Sequence, residues 1–203
     1  MKLFVSLFLA VMMLPASAGI AASADTLQIG DAMPADSVIV TTTENVSTSL
    51  HEQRRENGLL VVFICNTCPW VRKWEDRFNV LAQNADTLEI GVIFLNANEA
   101  LRASTESIEA MRTRAAESGY TFTYAADANH VIADAFGAMR TPDAYLFDSD
   151  GVLRYKGAID DNARDAENAT TYLLDAMQQI ATDGIVATPS RKSIGCTIKR
   201  VRN

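Results

Sequence analysis

Hydrophobic positions change their spacing along the chain, and the changes mark the elements. Residues 59–64 (Leu-Leu-Val-Val-Phe-Ile) form an unbroken apolar run rich in branched side chains, which predicts a central strand buried on both faces. Just beyond it Trp70, Trp74, Phe78 and Leu81 recur at the period of an amphipathic helix. Residues 88–95 predict a second buried strand, and Ile108, Met111 and Ala115 mark a helix that stops near Gly119. Asn129 can cap a short helix ending at Gly137. Residues 144–147 and 152–155 predict a hairpin around Asp148-Ser149-Asp150-Gly151. Ala169, Tyr172, Leu173, Ala176, Met177 and Ile180 supply the last amphipathic helix. Upstream, residues 36–40 and 45–50 flank a threonine-rich turn and suggest an N-terminal β-hairpin. The tail at 182–203 has no clear period. Hairpin, strand, helix, strand, helix, helix, hairpin, helix is the order of an α/β domain with a central mixed sheet flanked by helices.

The first 24 residues follow another pattern. Lys2 precedes an apolar run at 3–14, and small residues follow with Ala-Ser-Ala at 16–18 and again at 22–24. That is the layout of a secretory signal peptide, with cleavage after Ala18 or Ala24 and one domain over 25–203. An uncleaved membrane anchor is the less favoured alternative, because the run is too short to span a bilayer. The expected location is the periplasm or an equivalent exported space, with membrane contact only during export.

Composition narrows the chemistry. At 48% hydrophobic, 203 residues bury one full core. With 18 basic and 25 acidic side chains the formal charge is −7, which argues against nucleic acid as a partner and otherwise describes an ordinary solvated surface. The 3 cysteines are too few for a disulfide scaffold in an exported chain, so their placement matters.

Two of them form Cys65-Asn66-Thr67-Cys68, where the central strand gives way to the helix. A thiol attacks as its thiolate, and a free pKa of about 8.5 leaves little thiolate at neutral pH without help. A helix starting around Asn66 would aim its free N–H groups and positive dipole end at Cys65, leaving Cys68 less exposed. Cys65 is therefore the expected attacking thiol and Cys68 the resolving one. Haem attachment would need a histidine where Pro69 stands. Zinc would need two further ligands from Cys196, His51, His130 or carboxylates, with no second Cys-x-x-Cys to supply them. A purely structural disulfide is the main bland alternative. Cys196 reads either as a third redox thiol or as an unpaired one, since three cysteines permit one internal disulfide at a time. Arg72, Lys73, Glu75 and Asp76 fit a charged outer helix face, and Glu75 is the nearest candidate for a general base.

The segment FICNTCPWVRKWEDRF at 63–78 resembles the peroxiredoxin-like branch of the redoxin proteins, related to alkyl hydroperoxide reductase and thiol-specific antioxidant proteins, within the thioredoxin-like fold. Leu95-Asn96-Ala97-Asn98, GAMRTPDAYLF at 137–147, GAIDD at 157–161 and GCTIK at 195–199 extend the likeness over nearly the whole mature chain. It implies that Thr141-Pro142 is a cis-proline turn beside the cysteine pair, with the Thr141 backbone holding a thiol substrate. From sequence alone Pro142 reads as an ordinary trans proline at a strand start. Two departures stand out: the usual Cys-Asn-His-Cys has Thr67 in place of histidine, and Arg140 replaces a cysteine many members carry two residues before the cis-proline. The missing imidazole removes a thiolate stabiliser that the Arg140 guanidinium could replace. The implied activity is thiol-disulfide exchange with a protein partner and an upstream electron donor, without a cofactor. Thiol peroxidase activity is the alternative, although the peroxiredoxin Pro-x-x-x-Thr/Ser-x-x-Cys loop, aligned on Cys68, meets Val61 and Cys65. A non-catalytic redox-sensing module is the third.

Overall fold

The apolar run becomes a strand in which every residue is buried, and its neighbours explain why it carries no polar break. In the computed structural model, which describes residues 26–201, Leu60 and Val62 enter one apolar layer while Leu59, Val61 and Phe63 enter the other. The predicted signal segment at 1–24 lies outside the described residues. Among the described residues no helix is long and apolar enough to cross a membrane.

In chain order the first half contains β1 (Val40–Thr42), β2 (Ser47–Thr48), α1 (Leu50–Gln53), β3 (Leu59–Phe63), α2 (Pro69–Thr87), β4 (Gly91–Asn96), α3 (Ile108–Ser118) and β5 (Thr123–Ala126). The second half contains α4 (Val131–Phe136), β6 (Arg140–Thr141), β7 (Asp143–Phe147), β8 (Leu153–Gly157), α5 (Tyr172–Thr182), β9 (Ser190–Arg191) and β10 (Cys196–Thr197). The main sheet runs β2-β1-β5-β4-β3-β7-β8-β9. β3, β4 and β5 are parallel, joined through α2 and α3, whereas β7 runs antiparallel to β3 and to β8. This is the central mixed sheet the pattern predicts. Trp74, Phe78 and Leu81 of α2 are buried against it, and each such side chain contributes about 1.5–3 kcal/mol.

Four local expectations change. The N-terminal hairpin forms, but Thr41 and Thr42 belong to its first strand, where Thr41 and Thr42 also pair with β5. β5 itself has no counterpart in the predicted order. Its Thr-Tyr-Ala-Ala sequence has weak strand preference, and pairing with β4 on one side and β1 on the other decides its conformation. The short helix is capped by Asp127 rather than Asn129: the Asp127 carboxylate accepts from the amides of Ile132 and Ala133 at 3.0 and 2.8 Å. Finally, the patternless tail is ordered by backbone pairing. β9 joins β8 and β10 joins β6, in strands of 2 residues that are too short to show a period.

Candidate active site

The C-terminal end of β3, the N-terminus of α2 and β6 meet at the cysteines. α2 begins at Pro69, three residues later than expected, and Cys68 is its N-cap with φ −78° and ψ 119°. Pro69 explains both facts. Proline suits the first helical position, where no N–H is needed, and it drives the preceding residue out of the helical region. The free amides of the first turn therefore serve other sulfurs than the one expected. That of Val71 faces Cys68, and that of Trp70 faces Cys196. Exposure does not separate the two thiols, since Cys65 and Cys68 are 3% and 2% exposed.

Both sulfurs converge on Thr141. Cys65 Sγ lies 3.3 Å from Thr141 Oγ1, and Cys68 Sγ lies 3.2 Å from the Thr141 carbonyl oxygen, to which it donates only while it is a thiol. The Thr141–Pro142 peptide bond is cis. Cys196 stands opposite Thr141 in the β6–β10 pair and within hydrogen-bonding reach of Cys68. The thiols are all free.

The two members of the pair have opposite electrostatics. The Cys65 thiol donates to Cys68, and with the Cys196 thiol, Thr141 and the Val71 amide it pulls the Cys68 pKa down to about 4 against the opposing effect of burial. The same thiol–thiol bond, together with burial and the nearby Glu106 carboxylate, pushes Cys65 above the ordinary thiol range. The free amides at the positive end of α2 and the neighbouring thiols favour an anion at Cys68, while burial and Glu106 disfavour one at Cys65. The direction is opposite to the one expected from a helix starting near Asn66, because the helix begins at Pro69.

Behind Cys65 lies a polar network with no motif in the sequence. Glu106, fully buried, accepts from the Asn66 amide at 2.8 Å, the Thr67 amide at 3.2 Å, the Thr67 hydroxyl at 2.7 Å and Asn96 Nδ2 at 2.7 Å. The Tyr124 hydroxyl donates to Asn66 Oδ1 and accepts from Asn96 Nδ2, each at 3.0 Å. The side chain thus fixes the turn between the cysteines through four donors, and the Arg102 guanidinium braces the same network by donating to the Glu106 and Asn96 backbone carbonyls. The only signal for it in the sequence is an acidic residue beside the Ser107 helix cap, which reads as ordinary helix-start chemistry.

Other predicted residues sit elsewhere. The Thr67 hydroxyl is engaged by Glu106, so it does not serve the Cys65 sulfur. Arg140 neighbours Thr141 in β6, and strand alternation turns it away from the pair: its guanidinium donates to the Gly195 carbonyl at 3.3 Å and is exposed. Glu75 bonds Arg114, the Ser118 hydroxyl at 3.0 Å and the Tyr120 hydroxyl at 2.5 Å, tying α2 to α3 and leaving it no part in proton transfer at the cysteines. Beside Pro142 a groove of about 340 Å³ is lined by Trp70, Trp74, Ile159, Tyr172 and Arg191.

A family profile described as Redoxin matches residues 28–173. The chain belongs to the Redoxin family. No curated protein matches it closely enough to serve as a relative. Among solved structures, this redoxin is similar to a hypothetical protein from Sinorhizobium meliloti, with 27% identity over 88% of this chain and 98% of that one and a TM-score of 0.78. It shares its fold with a putative thiol:disulfide interchange protein DsbE from Chlorobium tepidum, at 18% identity, 64% and 85% coverage and a TM-score of 0.54. The same holds for PrxQ of Xylella fastidiosa, at 16% identity, 65% and 86% coverage and a TM-score of 0.54. The fold is thioredoxin-like, as the sequence resemblance implies.

Proposed function

We propose that this redoxin is a thiol-disulfide oxidoreductase that exchanges a disulfide with protein partners through Cys65 and Cys68, exported by its N-terminal segment. The observation that carries the reading is the convergence of both sulfurs on Thr141, with opposite protonation preferences. Cys68 supplies the reactive anion. Once a mixed disulfide has formed on it, Cys65 loses its proton to the departing thiolate and attacks Cys68 Sγ, closing the internal disulfide. A protein partner is supported by the groove beside Pro142 and by the exposed apolar side chain of Ile194 that lines it. An upstream dithiol donor would regenerate the reduced pair.

Peroxide reduction is the second reading, favoured by the placement of the low-pKa Cys68 at the helix N-terminus. There the Cys68 thiolate would attack the O–O bond, release an alcohol or water and become a sulfenic acid, which condenses with the Cys65 thiol to give the disulfide and water. Dithiol-dependent insulin reduction and peroxide consumption, assayed side by side on the mature protein, separate the two. Insulin reduction without peroxide turnover is the expected result, and the reverse selects the peroxidase.

A further inference from the structure

Cys196 reaches the pair from the far end of the chain and is fastened on both sides. The Ile198 amide donates to the Met139 carbonyl at 3.1 Å and the Lys199 amide to Asn98 Oδ1 at 2.8 Å. On the other side Gly195 permits the close approach, since a Cβ there would stand 2.2 Å from the Thr141 carbonyl oxygen. Thr141 is the residue that also touches both sulfurs of the pair, so three thiols surround one residue with Cys68 in the middle of the row. Exposure grades along that row. Cys65 and Cys68 are buried, Cys196 is half-buried, and Met139 and Ile194 near it are 57% and 55% exposed. A macromolecular partner meets Cys196 before it meets Cys68.

We propose that Cys196 is the sulfur through which the buried pair exchanges with its partner, by way of a Cys68–Cys196 disulfide. This rests on the thiol-exchange reading above. In the oxidised protein the Cys196 thiolate attacks Cys68 Sγ. The Cys68–Cys196 bond forms, the Cys65–Cys68 bond breaks, and Cys65 leaves with the electron pair and takes up the proton Cys196 has lost. A thiolate of a dithiol protein then attacks Cys196 Sγ and expels Cys68, whose stabilised anion is a good leaving group. The second thiol of that protein attacks the first, closing the partner disulfide and returning Cys196 as a thiol. Two electrons have moved from partner to pair, and the reverse sequence reduces a partner disulfide.

Two measurements test the proposal. Cys65→Ser, oxidised in a glutathione buffer and mapped by peptides, should contain the Cys68–Cys196 disulfide as its main product. Cys196→Ser and Cys196→Ala should slow exchange with reduced, unfolded insulin by about tenfold or more, and exchange with the small dithiol dithiothreitol by less than about threefold, because only the large partner needs the outer sulfur. A Cys65→Ser protein with Cys196 free or only glutathionylated overturns the proposal. So do Cys196 variants that exchange with insulin at the natural rate while the natural protein is active, and that outcome leaves the thiol-exchange reading standing. A natural protein that exchanges with neither dithiol overturns both.

Discussion

Cys65 and Cys68 are three residues apart in the chain and lie against the same threonine, yet the two sides of the site are built by different physics. Behind Cys65 the protein offers a buried carboxylate and a closed set of hydrogen bonds through Asn66, Thr67, Asn96 and Tyr124. In front, at Cys68, it offers free helix amides, a second thiol and a short strand from the tail. The rear fixes geometry and discourages an anion, whereas the front stabilises one. A Cys-x-x-Cys pair becomes asymmetric through what surrounds each sulfur, and here Pro69 sets the asymmetry by delaying the helix until Cys68 is its cap.

The sharpest way to break the rear is to remove its acceptor. Glu106→Ala leaves two backbone amides, a hydroxyl and the Asn96 side chain without their partner in a fully buried position, and should destabilise the reduced protein by at least about 3 kcal/mol. Glu106→Gln keeps the volume but turns an NH₂ toward donors, so it should still cost about 1–3 kcal/mol. Urea unfolding checks both. A Glu106→Gln protein as stable as the natural one would show that the network fills space and holds no charge.

The front is broken by removing its main donor. The thiolate absorbance of the reduced protein should titrate far below the free-thiol value of about 8.5, and this acid-range titration should vanish in Cys68→Ser. With the Cys68 pKa near 4, the thiolate persists as pH falls until that value and is then lost, so thiol reactivity should hold through mildly acidic conditions. Cys65→Ala should raise the midpoint by about one unit or more, each unit being worth about 1.4 kcal/mol. If the acid-range thiolate instead survives Cys68→Ser and disappears in Cys65→Ser, Cys65 is the anionic member of the pair.

How much of this was legible in the sequence follows the same division. Elements that bury a continuous apolar face, β3 and α2 above all, are readable because their periodicity is their packing. The cysteine pair and Thr141-Pro142 are readable as a motif. Glu106, Asn96 and Tyr124 are not, because a polar network is defined by mutual distance across three separate elements and leaves no period in the chain. The start of α2 departs from the periodicity for a local reason, since Pro69 permits a helix to begin at its own position but restrains the residue before it. β5 and β10 leave no legible pattern because backbone pairing, rather than side-chain periodicity, forms them.

A smaller effect sharpens the boundary between the two sides. Thr67 lies between the cysteines but belongs to the rear, so Thr67→Val should cost about 1 kcal/mol for the lost hydroxyl bond to Glu106 and leave the Cys68 titration where it is. A histidine at this position would not reproduce the thiolate stabilisation that the resemblance implies, because its ring would have to displace the Glu106 contact first.

The smallest effect is expected at Arg140, and its smallness is informative. Arg140 is one residue from Thr141, which touches both sulfurs, and a guanidinium at that sequence distance is an obvious source of thiolate stabilisation. Alternation along β6 places consecutive side chains on opposite faces, so the charge points to the Gly195 carbonyl and toward solvent, where water and salt screen it. Arg140→Ala should therefore move the Cys68 midpoint by less than about 0.3 units and change stability by no more than about 0.5 kcal/mol. Repeating the titration at low and at high salt distinguishes the remaining case. A screened surface charge gives a small shift that salt removes, while a shift of a full unit that survives high salt would mean that the guanidinium reaches the sulfurs and that the front of the site is held by a charge as well as by amides and thiols.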